Sequence, residues 1–264
     1  MSMARIEDRG DRLVVWNLNA ARRGALTPDY YAALQDALET AGRTKRIACV
    51  VLASEGGFFC AGGDLGVLAT RAAQSEAERR GNIEKLHDLV RAIITCPKPV
   101  IAAVEGGAAG AGMSLALACD VTVASDTARF TAAYVKAGLV PDAGLTHFLS
   151  ALLPRALARR MVLLGEPVAA DRLHALGALS ELAPEGHAFE AAMALADRLA
   201  QGPSATQGAI KTLMNSAAQG DLMAQLDAER DAMARAQGTP EAAEGIAAFL
   251  DKRAPDFVAL REMS

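Results

Sequence analysis

Two glycine-rich turns, each entered from a short apolar run, constrain this chain more than any other feature. The first, Gly56-Gly57-Phe58-Phe59-Cys60-Ala61-Gly62-Gly63-Asp64-Leu65, follows the apolar run 47–53. The second, Glu105-Gly106-Gly107-Ala108-Ala109-Gly110-Ala111-Gly112, follows Val100-Ile101-Ala102-Ala103-Val104. Glycine in such turns lets the backbone take positive φ and lets N–H groups face a ligand with no Cβ in the way. Placed side by side, two such turns can aim two backbone N–H groups at one oxygen. That is an oxyanion hole, and it points to acyl chemistry.

The segments around the turns read as an α/β core. Leu13-Val14-Val15-Trp16-Asn17-Leu18 has the composition of an early strand, and Thr27-Pro28-Asp29 opens a helix with Thr27 as cap and Pro28 in the first turn. Leu34 and Leu38 give that helix its apolar stripe. The Arg- and Glu-rich stretch 70–85 is expected as a helix exposed over one face or as a mobile loop. An amphipathic helix carrying Leu86, Leu89, Val90 and Ile93 follows and stops at Cys96-Pro97-Lys98-Pro99. A strand at 100–104, the second turn, a helix near 112–119 and a strand over Val121-Thr122-Val123-Ala124 come next. Strand, glycine turn and helix thus recur. From about 155 the pattern is helical, ending in a helix over 240–252 with Ile246, Phe249 and Leu250 on its apolar side.

Just over half of the 264 residues are apolar, enough for a sizeable core, and aromatics are few, so aliphatic side chains build it. The net charge of −4, with no run of Lys or Arg, speaks against nucleic acid as the main ligand. Cys49, Cys60, Cys96 and Cys119 show no CxxC spacing and lie in or beside apolar segments, as reduced packing residues of a cytoplasmic protein do. No stretch has the pattern of a signal peptide or a membrane span, so a soluble, untargeted chain is expected. The scattered histidines predict no metal site.

With these segments in view, the chain resembles the crotonase family, the enoyl-CoA hydratase/isomerase superfamily. Asn19-Ala20-Ala21-Arg22-Arg23-Gly24-Ala25-Leu26 resembles the family's N-terminal turn, Phe59–Leu65 its first oxyanion segment, and Lys98 through Gly112 its second. Gly138-Leu139-Val140-Pro141-Asp142-Ala143-Gly144 is similar to the segment after the active-site helix, and Phe249–Phe257 to the C-terminal helix. The resemblance implies a superhelix of ββα turns, with residues 1–200 as the acyl-CoA-binding core and 201–264 as a helical trimerisation region. It implies an acyl-CoA thioester as ligand, no cofactor beyond the coenzyme A of that substrate, and a homotrimer or dimer of trimers without nucleic-acid or membrane partners. It also implies Gly63 and Ala111 as the two N–H donors.

The resemblance further locates the acids and bases. Hydratases of the family use two glutamates, and the matching positions here hold Ser114 and Tyr134, neither of which serves as a carboxylate base. Asp142 stands where several isomerases of the family carry an aspartate base and where its dehalogenases carry a nucleophile. Asp142 is therefore expected as the proton shuttle of a double-bond isomerase, with Tyr134 walling the pocket and Ser114 filling space or bonding backbone. His87 is expected as a packing residue, His147 is a weaker candidate, and Glu105 is held in reserve as a second acid. Ala61, Asp64, Leu65, Arg22, Arg23 and Lys252 are the positions implied for holding coenzyme A. A hydratase with an altered base set, a dehalogenase- or hydrolase-like relative, and a non-catalytic CoA- or RNA-binding homologue are the competing readings. The walls that select the acyl group come from 66–90 and 130–150, where loop geometry decides.

Overall fold

The computed structural model describes residues 2–218 and 220–262. The chain opens with β1 (Ala4–Asp8), β2 (Arg12–Asn17), α1 (Pro28–Arg43) and β3 (Cys49–Ser54). It continues through α2 (Leu65–Thr70), α3 (Glu76–Thr95), β4 (Val100–Val104), β5 (Gly107–Ala109), α4 (Ala111–Ala118), β6 (Val121–Ser125) and β7 (Arg129–Thr131). Then follow α5 (Leu145–Leu152), α6 (Arg155–Leu164), β8 (Val168–Ala169), α7 (Ala170–Ala175), β9 (Glu181–Ala183) and α8 (Ala188–Ala200). Four helices complete it: α9 (Ser204–Ala217), α10 (Leu222–Ala236), α11 (Pro240–Leu250) and α12 (Phe257–Glu262).

The strands form two layers. The main sheet runs β1-β2-β3-β4-β6-β9, with β1 antiparallel to β2 and every later pair parallel. A smaller sheet, β5-β7-β8, lies in the second layer, and isolated bridges Leu26↔Gly63 and Cys60↔Ala108 extend that layer. Each turn of the spiral thus gives one strand to the main sheet and one short extended segment to the second layer, which is the expected ββα superhelix.

Side chains alternate between two buried faces, as they must in a parallel sheet covered on both sides. Val50, Leu52, Val100, Ala102 and Val104 join the principal core, together with Leu34 and Leu38 of α1 and Leu89 and Ile93 of α3. Val51, Ala53, Ile101 and Ala103 face the other way, onto Ala192 and Ala196 of α8. All four cysteines are free and buried; burial pushes the Cys49 and Cys60 thiols up to about 12, so they are packing groups rather than nucleophiles.

Several local expectations need correction. The stretch 70–85 is the expected exposed helix from Glu76 onward, where it forms the start of α3, but not before it. It splits into the end of α2, a 3-10 turn at Arg71–Ala73 and the first half of α3. A capping box starts α3: the Ser75 hydroxyl accepts from Glu78 N–H while the Glu78 carboxylate accepts from Ser75 N–H. The region after 155 is not wholly helical, because β8 and β9 interrupt it and β9 closes the edge of the main sheet. Both are too short to show an alternating pattern. Strand β1 was not anticipated either. Among the described residues no helix is long and apolar enough to cross a membrane.

Candidate active site

The two glycine turns meet in the second layer. Ala109 N–H donates to Cys60 O at 2.8 Å, and Phe59 N–H donates to Glu105 O at 2.9 Å and Gly107 O at 3.1 Å. The N-terminal turn joins them, with Leu26 N–H on Gly62 O at 2.8 Å and Ala61 N–H on Arg23 O at 2.9 Å. This close approach requires glycine. At Gly62, with φ of +90°, a Cβ would lie 2.9 Å from Ala109 O and 3.0 Å from Ala111 N. Gly62 thus brings the backbone next to Gly63 against the amide of Ala111.

Ala111 is the first residue of α4, so its N–H has no intrahelical carbonyl to bond. The whole of α4 is buried, and its positive end therefore acts with little screening from water. Gly63 is exposed at the mouth of the site, with Leu68 of α2 seated against it. The Tyr134 ring comes within 4.0 Å of where a Cβ on Gly110 would stand, which puts it beside the start of α4.

Asp142 is gathered to this place by contacts from three elements. The Tyr134 hydroxyl, on a 3-10 turn at Ala133–Ala137, donates to Asp142 Oδ1 at 2.7 Å. The Ser114 hydroxyl of α4 donates to the Asp142 carbonyl oxygen at 3.3 Å. On α3, His87 Nε2 accepts the N–H of Ala143 at 3.2 Å. Ala143 takes a φ of +52°, a region where a side chain is strained, and Gly144 follows at +78°. The turn after Asp142 is therefore sharp, and His87 and Ser114 hold it. Tyr134 is thus more than a wall, because its hydroxyl is committed to the aspartate. Tyr31 of α1 was missed from the sequence. Its phenol lies near enough to Asp142 to feel the carboxylate charge.

The structure assigns other candidates elsewhere. Glu105 is not a second acid: its carboxylate accepts Gly186 N–H at 3.1 Å and Ala188 N–H at 3.3 Å, capping the start of α8. His147 faces solvent on α5. Asp64 caps α2 through Gly66 N–H at 2.8 Å and pairs with Arg22, while Arg23 stacks on the Phe58 ring at 3.9 Å. Ala61, Asp64 and Leu65 line the first turn beside them. Lys252 lies exposed in the turn after α11, a helix that packs chiefly on α12. Among the described residues no three His, Cys, Asp or Glu side chains cluster as metal ligands would. A shallow cavity of about 390 Å³ between α6 and α7, lined by Leu157, Arg160, Arg172 and Leu176, contains none of these groups.

Electrostatics around Asp142 has a measurable consequence. The chain's three tyrosines are Tyr30, Tyr31 and Tyr134, and burial is the leading cause that lifts each phenol. Tyr31 is pushed up to about 12 by burial and then by the Asp142 charge. Tyr134 is raised by burial and Asp142, with the Ser114 hydroxyl opposing. An alkaline absorbance titration is therefore expected to show no phenolate step near the ordinary value of about 10. Above that pH the unfolded chain releases protons the folded chain keeps, so stability falls by about 1.4 kcal/mol per pH unit per phenol. A phenolate step near 10 in a chain still folded by circular dichroism would contradict this.

The two glycine turns, the start of α4 and the Asp142 carboxylate held by Tyr134 are thus brought together at one place. The sequence model of the enoyl-CoA hydratase/isomerase family matches residues 13–259. The chain is 36% identical to the 1,2-epoxyphenylacetyl-CoA isomerase of Escherichia coli over 89% of its length and 90% of that protein. It is 34% identical to the 2,3-dehydroadipyl-CoA hydratase of the same organism, over 96% of this chain and 97% of the relative. A crystal structure of an enoyl-CoA hydratase from Polaromonas sp. JS666 superimposes with a TM-score of 0.92 at 42% identity, covering 96% of this chain and 98% of that one. The chain belongs to the enoyl-CoA hydratase/isomerase family and is an enzyme of that family, acting on acyl-CoA.

Proposed function

We propose that this enzyme is an enoyl-CoA isomerase that moves a carbon–carbon double bond, with Asp142 as proton shuttle and the N–H groups of Gly63 and Ala111 as oxyanion donors. The observation that carries this reading is what surrounds Asp142. The positions where the family's hydratases place their two glutamates are Ser114 and Tyr134, and both spend their hydroxyls on Asp142. One carboxylate is left, and one suffices for an allylic shift.

In the proposed reaction the Asp142 carboxylate takes the proton from the carbon next to the thioester. The electron pair of that C–H bond delocalises onto the thioester oxygen, where the two N–H groups stabilise it by about 3 kcal/mol each. The same carboxyl group then returns the proton two carbons further along, and the thioester carbonyl is restored. Hydration would instead need a second base to activate water, and the site offers hydroxyls in its place.

Coenzyme A would lie along Ala61, Asp64 and Leu65, with Arg22, Arg23 and Lys252 toward its phosphates. A homotrimer or dimer of trimers fits the exposed apolar residues of the C-terminal helices: Phe249 is 83% and Leu250 73% exposed in the single chain. The reduced, buried cysteines suit the cytoplasm. The test is incubation with 3-enoyl-CoA and 2-enoyl-CoA, followed by mass and absorbance. Double-bond migration without mass gain is expected, and a product heavier by one water overturns the reading.

A further inference from the structure

The peptide unit between Asp142 and Ala143 is held at both ends, and unequally. Its carbonyl oxygen accepts the Ser114 hydroxyl at 3.3 Å and the Leu145 N–H at 3.1 Å. Its N–H belongs to a residue that is 1% exposed and goes to His87 Nε2 at 3.2 Å. Among the described residues no other acceptor takes that N–H. A buried N–H without an acceptor is costly, so one imidazole ring satisfies a donor that water does not reach.

Strain makes this bond matter more. Ala143 is held at a φ of +52°, and rotating the one peptide unit by half a turn would return it to negative φ. The same rotation would swing the carbonyl away from Ser114 and from the start of α5. The Tyr134 hydroxyl on Oδ1 would then be left to fix the carboxylate by itself. His87 opposes the rotation from a firm base. A capping box starts α3, and α9 grips its other end, where Lys211 Nζ donates to Ile93 O at 2.8 Å and Asn215 Nδ2 to Ile94 O at 2.9 Å. Leu86, Leu89, Val90 and Ile93 bury the inner face of the helix between these anchors.

The bond also selects one form of the ring. A backbone N–H can only donate, so Nε2 presents its lone pair and the ring proton is on Nδ1. The Glu84 carboxylate, one turn back on α3, lies 3.9 Å from Nδ1, and its charge favours the proton there. An imidazolium, with N–H on both nitrogens, would set one donor against another. With its lone pair engaged, Nε2 takes no proton from a substrate.

We propose that His87 is a positioning residue: as the neutral ring protonated on Nδ1, it accepts the Ala143 N–H and locks the peptide unit that fixes Asp142. This rests on Asp142 being the base of the reaction, but not on which product forms.

The test compares two variants and reads the ring directly. His87→Leu removes the acceptor and is expected to lower kcat for the reaction that Asp142→Asn abolishes by at least about tenfold, with KM within about twofold. His87→Gln is expected to keep kcat within about threefold, because its Oε1 still accepts an N–H although it takes no proton from carbon. Equal losses in the two variants overturn the proposal, and so does a loss confined to KM. Nitrogen-15 NMR of histidine-labelled protein in alkaline buffer needs no turnover. The His87 signals, identified by their absence from His87→Gln, are expected to show the proton on Nδ1. A proton on Nε2 overturns the proposal whatever reaction Asp142 performs. A wild type that moves no double bond overturns the isomerase reading instead, and the ring's tautomer still decides this one.

Discussion

Replacing Asp142 with asparagine is expected to lower double-bond isomerisation by about a thousandfold while acyl-CoA binding stays within about twofold. Asparagine keeps the size of the side chain and an oxygen that still accepts from the Tyr134 hydroxyl, 2.7 Å away in the wild type. The backbone bonds that shape the turn, from Ser114 to the residue-142 carbonyl and from Ala143 N–H to His87, do not involve the carboxylate. What the variant lacks is a group that takes a proton from carbon and gives it back. The proposed oxyanion donors remain, so the loss should appear in kcat rather than in KM. A variant with wild-type kcat would place the base elsewhere, whatever the product of the reaction.

The second large effect concerns the joint between the two glycine turns. Gly106→Ala is expected to destabilise the fold by about 2–5 kcal/mol: about 1–3 for forcing backbone apart in a packed site and about 1–2 for a side chain at positive φ. Gly106 has a φ of +62°, and a Cβ there would stand 1.9 Å from Gly57 O. That oxygen is backbone, so relief requires the first turn to move away from the second. The control is Gly57→Ala on the other side of the joint, where a Cβ meets nothing within 4 Å. It should cost no more than about 1 kcal/mol. Urea unfolding of both variants checks the pair; equal costs would mean that the close approach of the two turns is unimportant to stability.

Much of this was legible before any coordinates. The apolar runs that became β3 and β4, the Thr27-Pro28 start of α1 and the stop at Pro97 carry local signals, because a cap, a missing N–H or a buried alternation is a property of neighbours in the chain. The runs of residues that became β8 and β9 carry none, since two or three residues pair only when a strand already exists to receive them. Glu105 could be read as an acid next to a glycine turn; that it caps α8 depends on Gly186 and Ala188, some eighty residues away. Tyr134 looked like a wall because nothing in the sequence says that its hydroxyl meets Asp142.

The amino-acid sequence by itself determined the two glycine turns, the acyl-CoA family to which they belong and the absence of glutamate at positions 114 and 134. Each of these is a matter of residue type and local spacing. Only the tertiary structure decided that Ser114, Tyr134 and His87 converge on the turn of Asp142. Convergence and pairing depend on distances between segments far apart in the chain, and those distances exist only once the two layers have packed.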